Sequence, residues 1–304
     1  MIGYPIKIKL SPTLEISRFV AGFWRLKEWE MSSRDVLTYI ENLLETGITT
    51  FDHADIYGNY ECEGLFGEAL KLKPELRSLM QLVTKCGIVQ KYDPLLKKKF
   101  QYYDIGYEHI IESVNKSLKN FNTDYIDLLL IHRSDPLMNP EETARAFADL
   151  KSSGKVLNFG VSNFTISDFE MLNKFCDEKL ITNQVEISPY DLEHFANGNI
   201  SFFLKEGIHP MAWSPLAGGK LIHPADEESR RIHKVLSEMA ERLHIESVDI
   251  LVYAWLLRHP AGIIPLLGTG KIERVHLAVK ALDISLTTED WFRVYEAGLG
   301  HHVP

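Results

Sequence analysis

The sequence predicts an α/β fold, a (β/α)8 TIM barrel with a short N-terminal β-hairpin, and three observations predict it. Short apolar runs alternate with longer amphipathic segments from one end to the other, the runs number eight, and no glycine fingerprint follows the first of them. Continuously apolar strands belong to parallel sheets covered on both faces. Eight βα units in 304 residues match a closed barrel. A doubly wound sheet is the runner-up, but it calls for G-x-G-x-x-G after its first strand, where this chain reads "VAGFWRL".

The opening "IKIKLSPTLEIS" alternates around Ser11-Pro12 and reads as the hairpin. The strand candidates then run in order: "RFVAGFW" (18–24), "ITTFD" (48–52), "MQLVTKC" (80–86), "YIDLLLIH" (125–132), "VLNFGVS" (156–162), "TNQVEI" (182–187), "HPMAWS" (209–214) and "GIIPLLG" (262–268). Between them lie helical patterns. In "YEHIIESVNKSLKNF", Ile110, Ile111, Val114, Leu118 and Phe121 share one helical face. No Ser/Pro linker, repeat or low-complexity stretch interrupts the alternation, so residues 1–304 read as one barrel domain.

Composition narrows the function classes. The chain is 45% hydrophobic and 25% charged, ordinary for a globular protein with a large core. Its formal charge of -9 lacks the basic footprint that phosphate backbones demand, so nucleic acid is not an expected partner. Cys62, Cys86 and Cys176 are scattered and odd in number, which fits a reducing cytosol and no metal clip. No leader-like apolar region and no membrane-length apolar run occur, so a soluble cytoplasmic chain is expected.

Barrel chemistry collects at the C-terminal ends of the strands. Asp52 ends the second candidate strand and Tyr57 lies in the loop after it, while Lys85 and His132 end the third and fourth. Each alone has a structural reading: a turn cap, a satisfied imidazole, a snorkelling lysine. Together they make a coherent acid. A tyrosine hydroxyl titrates near ~10, and an adjacent ammonium lowers that value. A carboxylate keeps the lysine charged, and a neutral imidazole aligns a carbonyl oxygen with the phenol. The set protonates a carbonyl oxygen while hydride arrives from elsewhere. Strand alternation points Cys86 away from the interior, where it is expected to be inert.

The motifs "FDHADIYG", "VTKCG", "DLLLIHRSDP", "GKVLNFGVSNF", "TNQVEISPY" and "AWSPLAGGKL" together resemble the aldo-keto reductase superfamily along nearly the whole chain, most of all its bacterial YdhF-like branch. The resemblance implies that Asp52, Tyr57, Lys85 and His132 form a catalytic tetrad with tyrosine as general acid. It also implies NADPH (NADP+) held without a Rossmann domain, and a small carbonyl substrate. By the same analogy Ser162, Asn163 and Gln184 hold the nicotinamide carboxamide, and Trp213 stacks on its ring. Ser214, Pro215, Leu216, Gly218, Gly219 and Lys220 meet the pyrophosphate, and Gly22, Phe23 and Trp24 line the pocket. Structural readings stand beside these: "SNF" as a helix N-cap, Gln184 as a satisfied interior amide, Trp213 as core, the glycine pair as a turn.

The last motif, "GTGKIERVHLAV", opens a helix, a setting that suits an adenosine 2'-phosphate. Gly268, Thr269, Gly270, Lys271 and Arg274 supply the donors, unless Arg274 merely pairs with Glu273. The family's adenine-holding Glu and Asn are replaced by Leu277 and Ala278. His53 stands where Thr or Ser is commoner. "KKKF" at Lys97 to Lys99 reads as a solvated face, and Tyr92, Phe100, Tyr102 and Tyr103 as a pocket roof. An NADPH-binding redox sensor with little turnover, and a Schiff-base lyase, are the rival functions.

Overall fold

A computed structural model describes residues 3–90 and 100–304. The expected hairpin forms from β1 (Lys7–Ser11) and β2 (Leu14–Ser17), with Ser11 opposite Leu14 across the turn. Next come β3 (Val20–Gly22), β4 (Thr50–Asp52) and β5 (Gln81–Cys86). A small antiparallel ladder, β6 (Ile88–Val89) with β7 (Tyr102–Tyr103), stands beside them. Then follow β8 (Leu128–Ile131), β9 (Phe159–Ser162), β10 (Asn183–Glu186), β11 (Met211–Trp213) and β12 (Ile264–Leu267). The eight parallel strands β3, β4, β5, β8, β9, β10, β11 and β12 close into a barrel, β12 pairing back onto β3. Each of the eight apolar runs holds one barrel strand, and the doubly wound alternative is excluded.

Two apolar layers flank the barrel wall. Inside, Val20, Val83, Leu128, Leu130, Met211, Ile264 and Leu266 pack with Leu14 and Ile16 of the hairpin. Several of these residues begin their strands, so the hairpin seals the N-terminal end and leaves the other end open for polar side chains. Outside, alternate residues such as Phe51, Leu82, Leu129, Phe159 and Val185 pack under the helices. The period-two side-chain pattern of a strand thus separates interior from helix-facing residues throughout.

The helices follow their local signals. Helix Ser33–Glu45 begins at Ser32, whose side chain and that of Asp35 form a reciprocal capping box. Its Val36, Tyr39, Ile40 and Leu43 are buried. The helix predicted from "YEHIIESVNKSLKNF" spans Tyr107–Phe121, and Ile110, Val114, Leu118 and Phe121 are buried as expected. Ile111 is not fully covered, and Ser113 and Ser117 are buried instead. The apolar stripe is rotated towards these serines because buried carboxyl groups lie behind it and accept hydrogen bonds. Among the described residues, no helix is long and apolar enough to cross a membrane. Tyr92 and Lys97 to Lys99 fall outside the described residues, whereas Phe100 and Tyr103 are exposed beside the β6–β7 ladder.

Candidate active site

Strand alternation decides which strand-end side chains meet. Asp52 on β4, Lys85 on β5 and Gln184 on β10 share the interior parity, and His132 follows β8 in the same phase. The structure brings them together with Tyr57. Lys85, fully buried, places its Nζ 2.8 and 2.7 Å from the Asp52 carboxylate oxygens, 2.7 Å from the His53 carbonyl and 3.2 Å from the Tyr57 hydroxyl. The His132 ring stands edge-on to Tyr57 at 5.9 Å between centroids. All four expected residues therefore share one cluster.

Burial and charge set the protonation states. Burial pulls the Lys85 ammonium down, but Asp52 and Tyr57 more than offset it, and its pKa ends above the ordinary value. His132 is held well below the usual histidine range by burial, then by Lys85 and Arg133, so its imidazole is neutral. Its Nδ1 is buried with no hydrogen-bond partner among the described residues. Tyr57 corrects an expectation. Lys85 does favour the phenolate, but burial outweighs it and the hydroxyl pKa is raised rather than lowered. The free site therefore keeps its phenol protonated.

The same alternation turns other residues outward. His53 is completely buried among aromatic rings, stacked on Phe23 at 4.9 Å and edge-on to Phe66 at 4.6 Å and Phe121 at 4.9 Å. Neither ring nitrogen has a partner among the described residues, and burial holds the ring neutral. Phe23 is the other half of that stack, with no exposed surface. Its expected place in the pocket lining is therefore corrected: its side chain faces the helices, and only its neighbours Gly22 and Trp24 remain at the mouth. Trp24 is 52% exposed, with the Arg25 guanidinium 5.2 Å from its ring centre. Cys86 also faces outward, and burial pushes its thiol well up, as inertness requires.

Beside Tyr57 lies a buried carboxyl pair, Asp55 from the same strand-end motif and Glu63. Burial, then Glu63, raises Asp55 well above the carboxylate range. Burial also raises Glu63, which accepts from Thr84 Oγ1 at 2.7 Å and Asn120 Nδ2 at 3.2 Å.

A second network adjoins the first. Gln184 Nε2 donates to Asp52 Oδ1 at 2.8 Å. Ser162 Oγ donates to the Gln184 carbonyl at 2.9 Å, and Asn163 Nδ2 donates to Ser162 Oγ at 2.8 Å and to the His132 carbonyl at 3.2 Å. Trp213 Nε1 donates to Asn163 Oδ1 at 3.0 Å. Asn163 is left-handed at φ 58°, and the helix after it is capped by Thr165. The N-cap reading of "SNF" is thereby replaced.

The loop after β11 carries left-handed backbone at Ser214, Ala217, Gly218 and Gly219, a geometry that turns successive N–H groups towards an anion. Pro215 and Leu216 lie within it. Lys220 is engaged elsewhere, 2.9 Å from the Tyr190 hydroxyl and 3.3 Å from the Asp226 carboxylate. After β12, Arg25 donates to the Gly268 carbonyl and Tyr39 to that of Thr269. A Cβ on Gly270 would meet the Trp29 ring at 2.7 Å, so only glycine fits there. Lys271 and Arg274 are exposed, and among the described residues Arg274 makes no ion pair, with Glu273 or any other carboxylate.

Sequence reasoning missed the cavity beside this network. It occupies about 730 Å³ next to Trp213 and Asn163, with Arg133, Glu186, Asp191 and Asn197 in its wall. One available signal was the strand period: Glu186 lies two residues beyond Gln184 and so on the same face.

A family model for the aldo/keto reductase family matches residues 18–298. Oxidoreductase YdhF of Escherichia coli (strain K12) is 47% identical over 95% of this chain and 96% of its own. A 6-dehydroglucose reductase of Agrobacterium fabrum is 41% identical over 98% and 99%. The crystal structure of a thermostable aldo-keto reductase, Tm1743, superposes with a TM-score of 0.81 at 26% identity, covering 97% of this chain and 100% of the other. A match over nearly the whole length, on the barrel whose strand ends carry the cluster, settles the family. The chain belongs to the aldo/keto reductase family, enzymes that act on carbonyl and alcohol groups.

Proposed function

We propose that the protein is an NADPH-dependent reductase of aldehydes and ketones, able to run in reverse on alcohols, with Tyr57 as the proton donor. The observation that carries this reading is Lys85 Nζ, fully buried and placed between the Asp52 carboxylate and the Tyr57 hydroxyl. NADPH, when bound, supplies a hydride to the carbonyl carbon. The oxygen then takes the Tyr57 proton as its charge grows, and the phenolate left behind is stabilised by the Lys85 ammonium. Because Tyr57 has a raised pKa before reaction, it is protonated at neutral pH, and its donation depends on the Lys85 ammonium stabilising the phenolate as it forms. Neutral His132 donates a hydrogen bond to the carbonyl oxygen and sets its approach. Asp52 holds Lys85 charged, which argues against a Schiff-base lyase, since that chemistry needs a neutral amine.

For the cofactor, Ser162, Asn163 and Gln184 are the proposed carboxamide ligands. Gln184 offers its oxygen, because its Nε2 is engaged by Asp52. Trp213 is the proposed stacking face, oriented by its bond to Asn163. The left-handed loop at Ser214 to Gly219 suits a pyrophosphate, and Thr269, Gly270, Lys271 and Arg274 a 2'-phosphate. The residues fit the group: Arg274 is exposed and makes no ion pair among the described residues, so it is available to an anion. The test is oxidation of NADPH and of NADH with a panel of aldehydes and α-dicarbonyls. Tight NADPH binding with no turnover on any member of the panel would replace the reductase by the redox sensor.

A further inference from the structure

Small-molecule pockets are ordinarily lined mainly by apolar side chains. The cavity beside Trp213 departs from that rule. Among the described residues of its wall, Phe164, Ile166 and Trp213 are apolar and the other ten are polar or charged. Glu186 is paired with Trp213 in the β10–β11 register and shares the strand face of Gln184, whose amide touches Asp52. The carboxyl therefore lies on the interior face at the C-terminal end of β10, in the wall of the cavity that Trp213 and Asn163 also line, and Asn163 donates to the His132 carbonyl. Asp191 and Glu193 add two further carboxyls from the segment after β10, against Arg133 as the arginine among the described residues of the wall. Carboxylates accept hydrogen bonds from hydroxyls, while arginine and asparagine donate to them. A second anion brought beside three carboxyl groups meets like-charge repulsion in a partly desolvated space.

Resting on the reductase reading, we propose that this cavity is the substrate subsite and that Glu186 is its specificity-determining residue, admitting uncharged hydroxyl-bearing carbonyl compounds and excluding anionic ones. Exclusion by a repulsive group is a general route to specificity. Burial, then Asp191, pushes the Glu186 carboxyl up to about 7, with Arg133 and Lys220 pulling the other way. Among the described residues, Asp191, Arg133 after β8 and Lys220 after β11 act on its charge, and Glu193 and His194 from its own connection line the same cavity. Discrimination therefore weakens as Glu186 takes up its proton below neutrality.

The experiment compares 3-(hydroxymethyl)benzaldehyde with 3-formylbenzoate, nearly equal in shape and different in charge, with benzaldehyde as reference. Wild type should favour the neutral alcohol over the carboxylate in kcat/KM by about tenfold or more near pH 8. Glu186→Gln should reduce that ratio to within about threefold, by raising kcat/KM for the anion relative to benzaldehyde. The wild-type ratio should shrink as pH falls from about 8 to about 6, and the variant's should stay flat. A wild-type preference for the carboxylate would overturn the assignment and make Arg133 an anion reader. An unchanged ratio in Glu186→Gln would also overturn it. Turnover of none of the three aldehydes, with NADPH bound, would instead overturn the reductase reading, and this assignment with it.

Discussion

Gln184 and Asp52 lie 132 positions apart in sequence, yet the Gln184 amide donates to the Asp52 carboxylate at 2.8 Å. The expected cofactor cradle and the expected acid are one hydrogen-bonded network. A hydrogen bond to a charged group contributes about 1.5–3 kcal/mol. Gln184→Leu should therefore lower kcat by roughly 10- to 100-fold as well as weakening cofactor binding. A variant altered only in cofactor KM would show that this bond does not reach the chemistry.

Tyr57→Phe keeps the ring and removes the proton. Single-turnover reduction should slow by roughly 10²–10⁴, with NADPH affinity nearly unchanged. Lys85→Met should lose comparably, because the phenolate loses its ammonium. Tyr57→Phe retaining more than about a tenth of the single-turnover rate would remove tyrosine from the role of acid.

Trp213 makes an optical prediction. NADPH should quench tryptophan fluorescence, and Trp213→Ala should abolish most of that change. Because the indole also donates to Asn163, the variant should bind NADPH more weakly. An undiminished quench would move the stacking role to Trp24.

Arg274 should decide cofactor preference. It is exposed without an ion pair among the described residues, one turn past Thr269 and Gly270, and its fork suits a phosphate. Arg274→Ala should weaken NADPH binding by roughly 10- to 100-fold and leave NADH nearly unchanged. Equal losses for both cofactors in parallel titrations would refute a phosphate contact.

His53 predicts a pH dependence of stability. Its folded pKa lies well below the ordinary value, so the unfolded chain takes up a proton that the native chain refuses. Stability is fully present above about pH 6.5 and is lost as pH falls. The slope from this group is up to ~1.4 kcal/mol per pH unit. His53→Phe should flatten the loss between urea melts at about pH 7.5 and about pH 5.5, while His132 keeps its own share. Superimposable pH profiles for wild type and variant would contradict the neutral assignment.

The barrel and its cluster were legible in the sequence because their signal is local. A period of two fixes which side of a strand each residue faces, so Cys86 was placed outward from its neighbours in sequence alone, while Asp52 and Lys85 were placed by the strand-end rule. Alternating apolar runs located each barrel strand, and the strand-end rule located the polar groups. What the tertiary structure decided depends on neighbours far apart in sequence. Tyr57 is raised rather than lowered because desolvation, the sum of everything packed around it, exceeds one favourable charge. Phe23 leaves the pocket because His53, Phe66 and Phe121 form a ring cluster on the helix side. Lys220 turns to Tyr190 and Asp226. For Glu186 the strand period gave only its side of β10, and its place in the cavity wall with Trp213 is set when β10 lies beside β11. Periodicity gives orientation, but burial and electrostatics are sums over space, and the closed barrel sets their terms.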